Sequence, residues 1–461
     1  MERKMDFKNK RVTIIGLADS GFSAAKLLKA LKAKVRISES KDTPEVRERL
    51  SLLGGIEYEV GGHTRQFITN TDIMVISPGV PLNAECVRWA RQNKIPVIGE
   101  LELGSLFCRA PIIAVTGTNG KSTTSTLIHE ILKANNIKSF LLGNIGTPIC
   151  EEALKVKGNS VVSVEVSSFQ LEAIKKFRPK VAVYLNLTED HLDRYRDMAE
   201  YRKAKSRLFE NQKRTDYAVL NYDDSAVRML GKKINSKVFY FSMKEKVRGI
   251  YLDGEKVMLN LAKTPEEICR RSDITLAGRH NVENALASIL AVKLIKKDAK
   301  MLPVLTDFAG LRHRFELVAE SGGVKYIDDS KSTTVDSTIK ALNSLSGAVI
   351  LIAGGRDKGS DYSPVRKCAD KLKCIILMGE ARNKIRKDLE GLLMPIREAR
   401  TMKDAVSLAR QMSIEGDAVL LSPMCSSFDM FRDYKERGEV FNAAVLDELY
   451  RIPEPVPLSS R

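Results

Sequence analysis

Residues 112–123, IIAVTGTNGKST, run an apolar segment into a glycine turn, a lysine and two hydroxyls. Backbone N–H groups at a helix start face an anion, and Lys121 adds a mobile positive charge. Ser122 or Thr123 offers a hydroxyl suited to Mg²⁺. This is phosphate-binding chemistry. The usual loop has four residues between its first glycine and Gly-Lys-Ser/Thr, whereas only Thr118 and Asn119 separate Gly117 from Gly120. Gly-Lys-Ser alone is a common tripeptide. Its context here is not: a buried-strand pattern precedes it, and STTSTLIHEILKAN has a helical period after it.

Magnesium takes hard oxygen ligands. Glu165, at the end of the apolar run VVSVEV, supplies one, although a lone strand-end Glu without its neighbours reads first as an ordinary surface residue. LNLTEDHLDRY adds Glu189, Asp190, His191 and Asp193 after the next run. A histidine inside an acidic cluster is either ion-paired or close to a metal. Lys205 lies in YRKAKSRLF, which by itself reads as a solvated helix face. Near the start, GLADSG resembles a dinucleotide fingerprint but has Ala18 where the second glycine lets backbone approach a pyrophosphate. A pyrophosphate ligand other than NAD stays open.

Parallel sheets flanked by helices must position these groups, because short β-rich runs alternate with helical patterns along the whole chain. Open parallel sheets bind ligands beyond the carboxyl ends of their strands. The runs end at Ser77, at the loop beginning with Gly117, at Glu165 and Ser167, at Asn186–His191, at Asp329 and Lys331, at Lys358, and at Ser422–Ser427. A length of 461 residues suggests about three domains. The segments around NKIPVIGELELGSLFCRAP and DFAGLRHRFE separate them, giving domains over 1–99, 100–310 and 311–461. The Pro-rich tail RIPEPVPLSSR is expected to be disordered.

Composition narrows the class. No run reaches the roughly 20 apolar residues of a membrane span, and MERKMDFKNK lacks the apolar core of a secretory signal. The seven cysteines are scattered without a C-x-x-C pair, which suits a reducing cytoplasm rather than a zinc or disulfide framework. The net charge of +17 is spread along the chain without a basic block, and aromatics are only 6%. A basic surface drawing polyanionic small substrates fits this better than nucleic-acid binding.

With these motifs in order, the chain resembles the Mur ligases of bacterial cell-wall synthesis over about residues 8–450. The resemblance is carried by SPGV (77–80), GTNGKST (117–123), GNIGTP (143–148), EVSSFQLE (165–172), TEDHLDRY (188–195), YRKAKSRLF (201–209), GRHNVENALA (278–287), HRFE (313–316), DDSKSTT (328–334) and SPMCSSFDMFRDYKERG (422–438). The short glycine spacing is that family's form of the loop. The resemblance implies an α/β chain of three domains: an N-terminal Rossmann-like domain, a central P-loop ATPase-type parallel sheet and a C-terminal Rossmann-like domain. It implies ATP and two Mg²⁺ sites as cofactors. UDP-N-acetylmuramoyl-L-alanine and D-glutamate are the implied substrates, joined through an acyl phosphate. A cytoplasmic location is expected from the cysteine usage, and a monomer is the default expectation.

The resemblance also implies roles. Gly117, Thr118, Asn119, Gly120, Lys121, Ser122 and Thr123 hold ATP phosphates, with Asn281 and Asn284 on the adenine side and Arg314 and Asp329 closing on the nucleotide. Ser122 and Glu165 bind the first Mg²⁺, and His191 with a carbamylated Lys205 the second. Lys121, Glu165, His191 and Lys205 are the catalytic set. Asp19, Ser20, Glu39, Ser40 and Ser77 face the uridine diphosphate end, and Asn144, Ser167 and Gln170 the muramoyl-alanine part. Lys331, Thr333, Lys358, Ser427, Phe428 and Tyr434 receive D-glutamate.

Some positions depart from the family pattern. Thr334 stands where Asn is common, GGRDK replaces a glycine–acid arrangement, and Glu39-Ser40 replaces Asp-Thr. The rivals on the same fold are sister ligases adding other amino acids or peptides, or glutamates to folate. No Asp-Asn-Pro-Arg motif of the diaminopimelate adders is present. From other classes, the rivals are a P-loop hydrolase or switch and a nucleic-acid-binding protein.

Overall fold

The structure, a computed structural model, describes residues 6–191, 194–276, 278–308 and 310–450. Asp193 of the acidic cluster and the Pro-rich tail lie outside the described residues.

The first sheet contains β1 (Arg11–Ile15), β2 (Lys34–Glu39), β3 (Glu57–Val60), β4 (Ile73–Ile76) and β5 (Val97–Gly99). Their order is β3-β2-β1-β4-β5, parallel throughout. Side chains alternate between faces, as the two-residue strand period requires. Val12, Ile14, Ile73 and Val75 enter one apolar core, while Ile15, Met74 and Ile76 enter another. The strand order reverses beside β1, so the ends of β1 and β4 open a crevice there.

The second sheet contains β6 (Ile112–Thr116), β7 (Lys138–Gly143), β8 (Ser160–Glu165), β9 (Val181–Tyr184), β10 (Tyr217–Asn221), β11 (Lys237–Ser242), β12 (Gly249–Asp253), β13 (Lys256–Asn260) and β14 (Glu266–Arg270). Its order is β14-β13-β12-β11-β10-β9-β6-β8-β7. β6, entirely buried, lies between β8 and β9. The third contains β15 (Glu316–Ser321), β16 (Val324–Asp328), β17 (Val349–Gly354), β18 (Leu372–Met378), β19 (Ile396–Glu398) and β20 (Ala418–Leu421), ordered β15-β16-β20-β17-β18-β19. Val349, Leu351 and Ala353 pack on one face of β17, and Ile350 and Ile352 on the other.

The sheets are not wholly parallel. β12–β13–β14 and β15–β16 are antiparallel. The β15–β16 turn is Gly322-Gly323, with φ of 57° and 73°. Positive φ at both central residues is the geometry of a tight hairpin, and glycine adopts it without a Cβ clash.

The chain forms two compact units. One is the chain up to Leu187 with Met198–Thr275 and Val282–Phe308; the other is Thr188–Asp197, Leu276–Asn281 and the C-terminal part. The first unit holds the first two sheets. Glu102, buried in the short Glu100–Ser105 helix, ties them by accepting the N–H groups of Lys175, Lys176 and Phe177. All seven cysteines are free thiols. Among the described residues, no helix is long and apolar enough to cross a membrane.

Candidate functional site

The end of β6 turns into the Lys121–Ala134 helix through Gly117–Gly120. Gly120, the N-cap, has φ of 83° and no side chain with which to cap the first amides. Asn186, just past β9, grips the loop from the neighbouring strand. Its carbonyl accepts Thr118 N–H at 3.0 Å, its Oδ1 accepts Asn119 N–H at 2.8 Å, and its Nδ2 donates to Asn119 O at 3.1 Å. Lys121 Nζ donates to the carbonyls of Gly117 and Thr118 at 3.0 and 2.7 Å. The loop is thus a wound cradle with its lysine folded over the mouth.

Glu165, at the end of β8 and only 2% exposed, faces this helix. Ser122 Oγ donates to its Oε2 at 2.5 Å, and Asn144 Nδ2 donates to its Oε1 at 2.7 Å. A hydroxyl and a carboxylate side by side are hard oxygen donors of the kind Mg²⁺ takes, so these residues fit that ion. Lys205 differs most from its plain reading as a surface residue. It is 1% exposed, donates from Nζ to Gly117 O at 2.7 Å, and lies 4.7 Å from the Tyr201 ring centroid. Ser167 and Gln170 meet each other: they form the capping box that opens the Ser168–Glu172 helix.

Asp19, Ser20, Glu39, Ser40 and Ser77 gather at the carboxyl ends of β1, β2 and β4. Glu39 accepts Leu17 N–H at 2.6 Å and Lys41 N–H at 3.0 Å. Ser40 Oγ also donates to it, and Ser77 Oγ donates to Gly16 O. Asp19 pairs with Arg49 at 2.7 Å. The carboxylate of Glu39 therefore braces the turn after β1.

In the second unit, Asp329 at the end of β16 accepts Phe315 N–H at 3.1 Å and Ser422 Oγ–H at 3.0 Å. Burial pushes its carboxyl up to about 7. Lys331 Nζ stands 3.9 Å from the centre of the Tyr434 ring, a cation–π contact. Ser427 is buried, whereas Phe428 is 63% exposed. Thr333 is half-buried after Lys331, and Thr334, one of the departures, caps the Val335–Asn343 helix by accepting Ser337 N–H. Lys358 Nζ lies 3.5 Å from Asp190 Oδ1. His191 follows with φ of 57°, its Nε2 3.4 Å from Asp190 Oδ2. A cavity of about 360 Å³ is lined by Asp190, His191, Thr334, Asp336, Lys358 and Lys367, among others. Asn281 is buried in this unit, and Arg314 lies in the turn that leads to β15.

The first unit thus brings together the loop, Glu165, Asn144 and Lys205; Asn284 packs on Gly120. The second sets Lys331 on Tyr434, with Asp329 and Thr333 on the same strand-end stretch, and holds His191 and Lys358 against Asp190. Sequence reasoning missed Asn186 as the loop's clamp and Asp190 as the partner of Lys358. The signal for both was the polar cluster closing the β9 run. It also missed Arg437, buried near the start of the Tyr434–Tyr450 helix.

A buried parallel strand, a glycine turn, a lysine at the helix start and a hydroxyl–carboxylate pair define a P-loop nucleotide-binding protein. Comparison with known proteins narrows this. Residues 10–99 match the N-terminal domain of MurD-like Mur ligases, 115–292 the Mur ligase middle domain, and 313–425 the Mur ligase glutamate ligase domain. The chain is similar to the UDP-N-acetylmuramoylalanine–D-glutamate ligase of Geotalea daltonii, 43% identical over 96% of this chain and 98% of that one. The enzyme of the same name from Pelotomaculum thermopropionicum is 42% identical over 96% and 98%. Among solved structures, MurF from Acinetobacter baumannii has a TM-score of 0.62 at 16% identity, covering 95% and 94% of the two chains. The UDP-N-acetylmuramate–alanine ligase MurC from Thermotoga maritima has 0.60 at 19%, covering 94% and 98%. These two share the fold. The chain belongs to the Mur ligase family, whose members are ATP-dependent, amide-forming ligases.

Proposed function

We propose that this chain ligates D-glutamate to UDP-N-acetylmuramoyl-L-alanine in peptidoglycan precursor synthesis, converting ATP to ADP and phosphate. The observation that carries this reading is 43% identity, over 96% of the chain, to an enzyme named for D-glutamate ligation. A carboxylate is a poor acyl donor because its leaving group is oxide. Its oxygen attacks the γ-phosphorus, the bond to the ADP oxygen breaks, and an acyl phosphate forms. The D-glutamate amine then attacks the acyl carbon, phosphate leaves, and the amine loses a proton.

Two anions must meet in the first step, so the site needs cations and oriented N–H groups. In this reading Lys121 and the loop amides of 117–123 hold the β- and γ-phosphates, and Asn281, Asn284, Arg314 and Asp329 hold the rest of the nucleotide. Ser122 and Glu165 would hold Mg²⁺, which supplies charge neutralisation between carboxylate and phosphate when bound. His191 and a carbamylated Lys205 would serve a second ion, the carbamate turning a cation into an oxygen ligand. Asn144, Ser167 and Gln170 meet the muramoyl-alanine; Asp19, Ser20, Glu39, Ser40 and Ser77 meet the uridine diphosphate. Lys331, Thr333, Lys358, Ser427, Phe428 and Tyr434 receive D-glutamate. The reading includes domains at 1–99, 100–310 and 311–461, a cytoplasmic location and a monomer.

Mass analysis of products from ATP, UDP-N-acetylmuramoyl-L-alanine and a panel of amino acids tests it. A glutamyl adduct with D-glutamate alone is expected. An adduct with a different amino acid, or phosphate release needing neither substrate, overturns it.

A further inference from the structure

Arg437, in the first turns of the Tyr434–Tyr450 helix, is only 2% exposed. A buried guanidinium is costly unless its N–H groups are matched. Here Nε donates to Ser330 Oγ at 3.0 Å, Nη2 to Ser330 O at 2.8 Å and Nη1 to Cys425 O at 3.2 Å. Among the described residues these hydrogen bonds reach no carboxylate. Burial lowers its pKa to about 10, which leaves it a cation at neutral pH.

What those acceptors are gives the arrangement its meaning. Ser330 immediately precedes Lys331 after β16, and Cys425 begins the turn to Ser427 after β20. The loop after β17, which leads to Lys358, also arrives here: a Cβ on Gly355 would meet Ser426 O at 2.3 Å and Arg437 Nη1 at 3.2 Å. Arg356 and Ser426 exchange backbone hydrogen bonds at 2.9 and 3.2 Å. One planar fork therefore hydrogen-bonds two of the strand-end loops that carry the candidate D-glutamate contacts and lies beside the third, where Gly355 leaves room for it. The same helix start adds two further constraints. Tyr434 lies under Lys331, and its carbonyl accepts Ser330 Oγ–H at 2.8 Å. Next to Arg437, a Cβ on Gly438 would stand 2.1 Å from His313 Nδ1 and 2.7 Å from Asp328 Oδ2. Those two groups are bonded at 2.7 Å, and His313 O accepts Lys331 N–H at 3.0 Å.

We propose that Arg437 is a positioning residue for the amino-acid substrate, its guanidinium setting the spacing of the loops that carry Lys331, Lys358 and Ser427. This rests on the reading of that cluster as the D-glutamate site. A lysine at 437 keeps the charge and loses the planar fork, so it cannot hold two loops at once. Touching none of the reacting atoms, Arg437 acts through the loops alone.

The test measures KM for D-glutamate, ATP and UDP-N-acetylmuramoyl-L-alanine on the full chain. Arg437→Lys is one variant. Ser330→Ala is the other, because it keeps the guanidinium, removes one acceptor and is the milder change if the first fails to fold. The expected rise in KM for D-glutamate is about tenfold for Arg437→Lys and about threefold for Ser330→Ala, with the other two KM values within about twofold. An unchanged KM for D-glutamate in Ser330→Ala, or all three rising together, overturns the proposal. Failure of the underlying reading is distinguishable, because the unaltered enzyme would then form no D-glutamyl product.

Discussion

Gly120 approaches Asn284 so closely that a methyl on its α-carbon would stand 2.2 Å from Asn284 Oδ1. The glycine that ends the phosphate loop and an asparagine on a distant helix share one small space. Gly120 also has φ of 83°, a conformation that costs an L-residue roughly 1–2 kcal/mol. Strain and collision act in the same direction. Gly120→Ala is expected to shift the loop, lower turnover at saturating D-glutamate by about 100-fold or more, and leave most of the fold's stability intact. Calorimetry with steady-state kinetics checks this, and near-normal turnover would refute the packing argument.

Much of this site was legible before the structure. The buried strand, the glycine turn and the helical period fixed the loop, because each is a local pattern. Strand-end polar clusters also carried, since the parallel sheets deliver their carboxyl ends to one side. Partners far apart in sequence were harder to see. Asn186 holds Asn119 across 67 residues, and no periodicity announces such a pair. Lys205 looked solvated because YRKAKSRLF is basic on every side, yet helix orientation alone buries this lysine under Gly117 O. The two antiparallel additions were missed for a different reason. Their short hairpins sit among βα alternations, although Ser-Gly-Gly-Val at 321–324 did hold the turn signal.

Lys358 and Asp190 form a half-shielded pair at 3.5 Å, the lysine side chain 22% exposed. At 3.5 Å the contact is long for an ion pair and lies on a cavity wall, so removing the lysine should leave the fold alone. As a candidate partner for a D-glutamate carboxylate it has more to lose. Lys358→Ala is expected to raise KM for D-glutamate by about tenfold or more, with KM for ATP within about twofold. The reverse pattern would put the amino-acid pocket elsewhere.

Glu100 gives a pH prediction away from the site. It is buried, accepts Cys150 N–H at 2.8 Å, and burial pushes its carboxyl up to about 7. An unfolded Glu titrates near 4.3, so between those values the folded chain binds a proton that the unfolded chain lacks. Stability therefore falls as pH rises through this window. Asp329, also lifted to about 7, contributes with the same sign. Glu100→Gln keeps an acceptor for Cys150 and removes one titration. Its Tm should fall less than that of the unaltered chain between pH 5 and pH 8. Parallel Tm profiles would show that Glu100 does not titrate there.

Lys205 presents the sharpest choice between two roles. As an ammonium or amine it donates to Gly117 O at 2.7 Å and braces the phosphate loop. As a carbamate it would carry two anionic oxygens and suit a metal ion instead. Carbamylation needs an uncharged amine, and this one is enclosed, the residue being 1% exposed. Both roles predict a damaged Lys205→Ala enzyme, so loss of activity alone does not choose between them. Small carboxylates do. Formate or acetate fits the space of a lost carbamate and carries its charge, whereas neither can donate a hydrogen bond to Gly117 O. Lys205→Ala is therefore expected to lose about 100-fold or more in turnover and to regain part of it with added formate. The unaltered enzyme, assayed alongside, controls for salt effects. Full activity of the variant without additive would remove Lys205 from the catalytic set. Inactivity with no response to formate or acetate, in a variant that still binds ATP, would favour the bracing role.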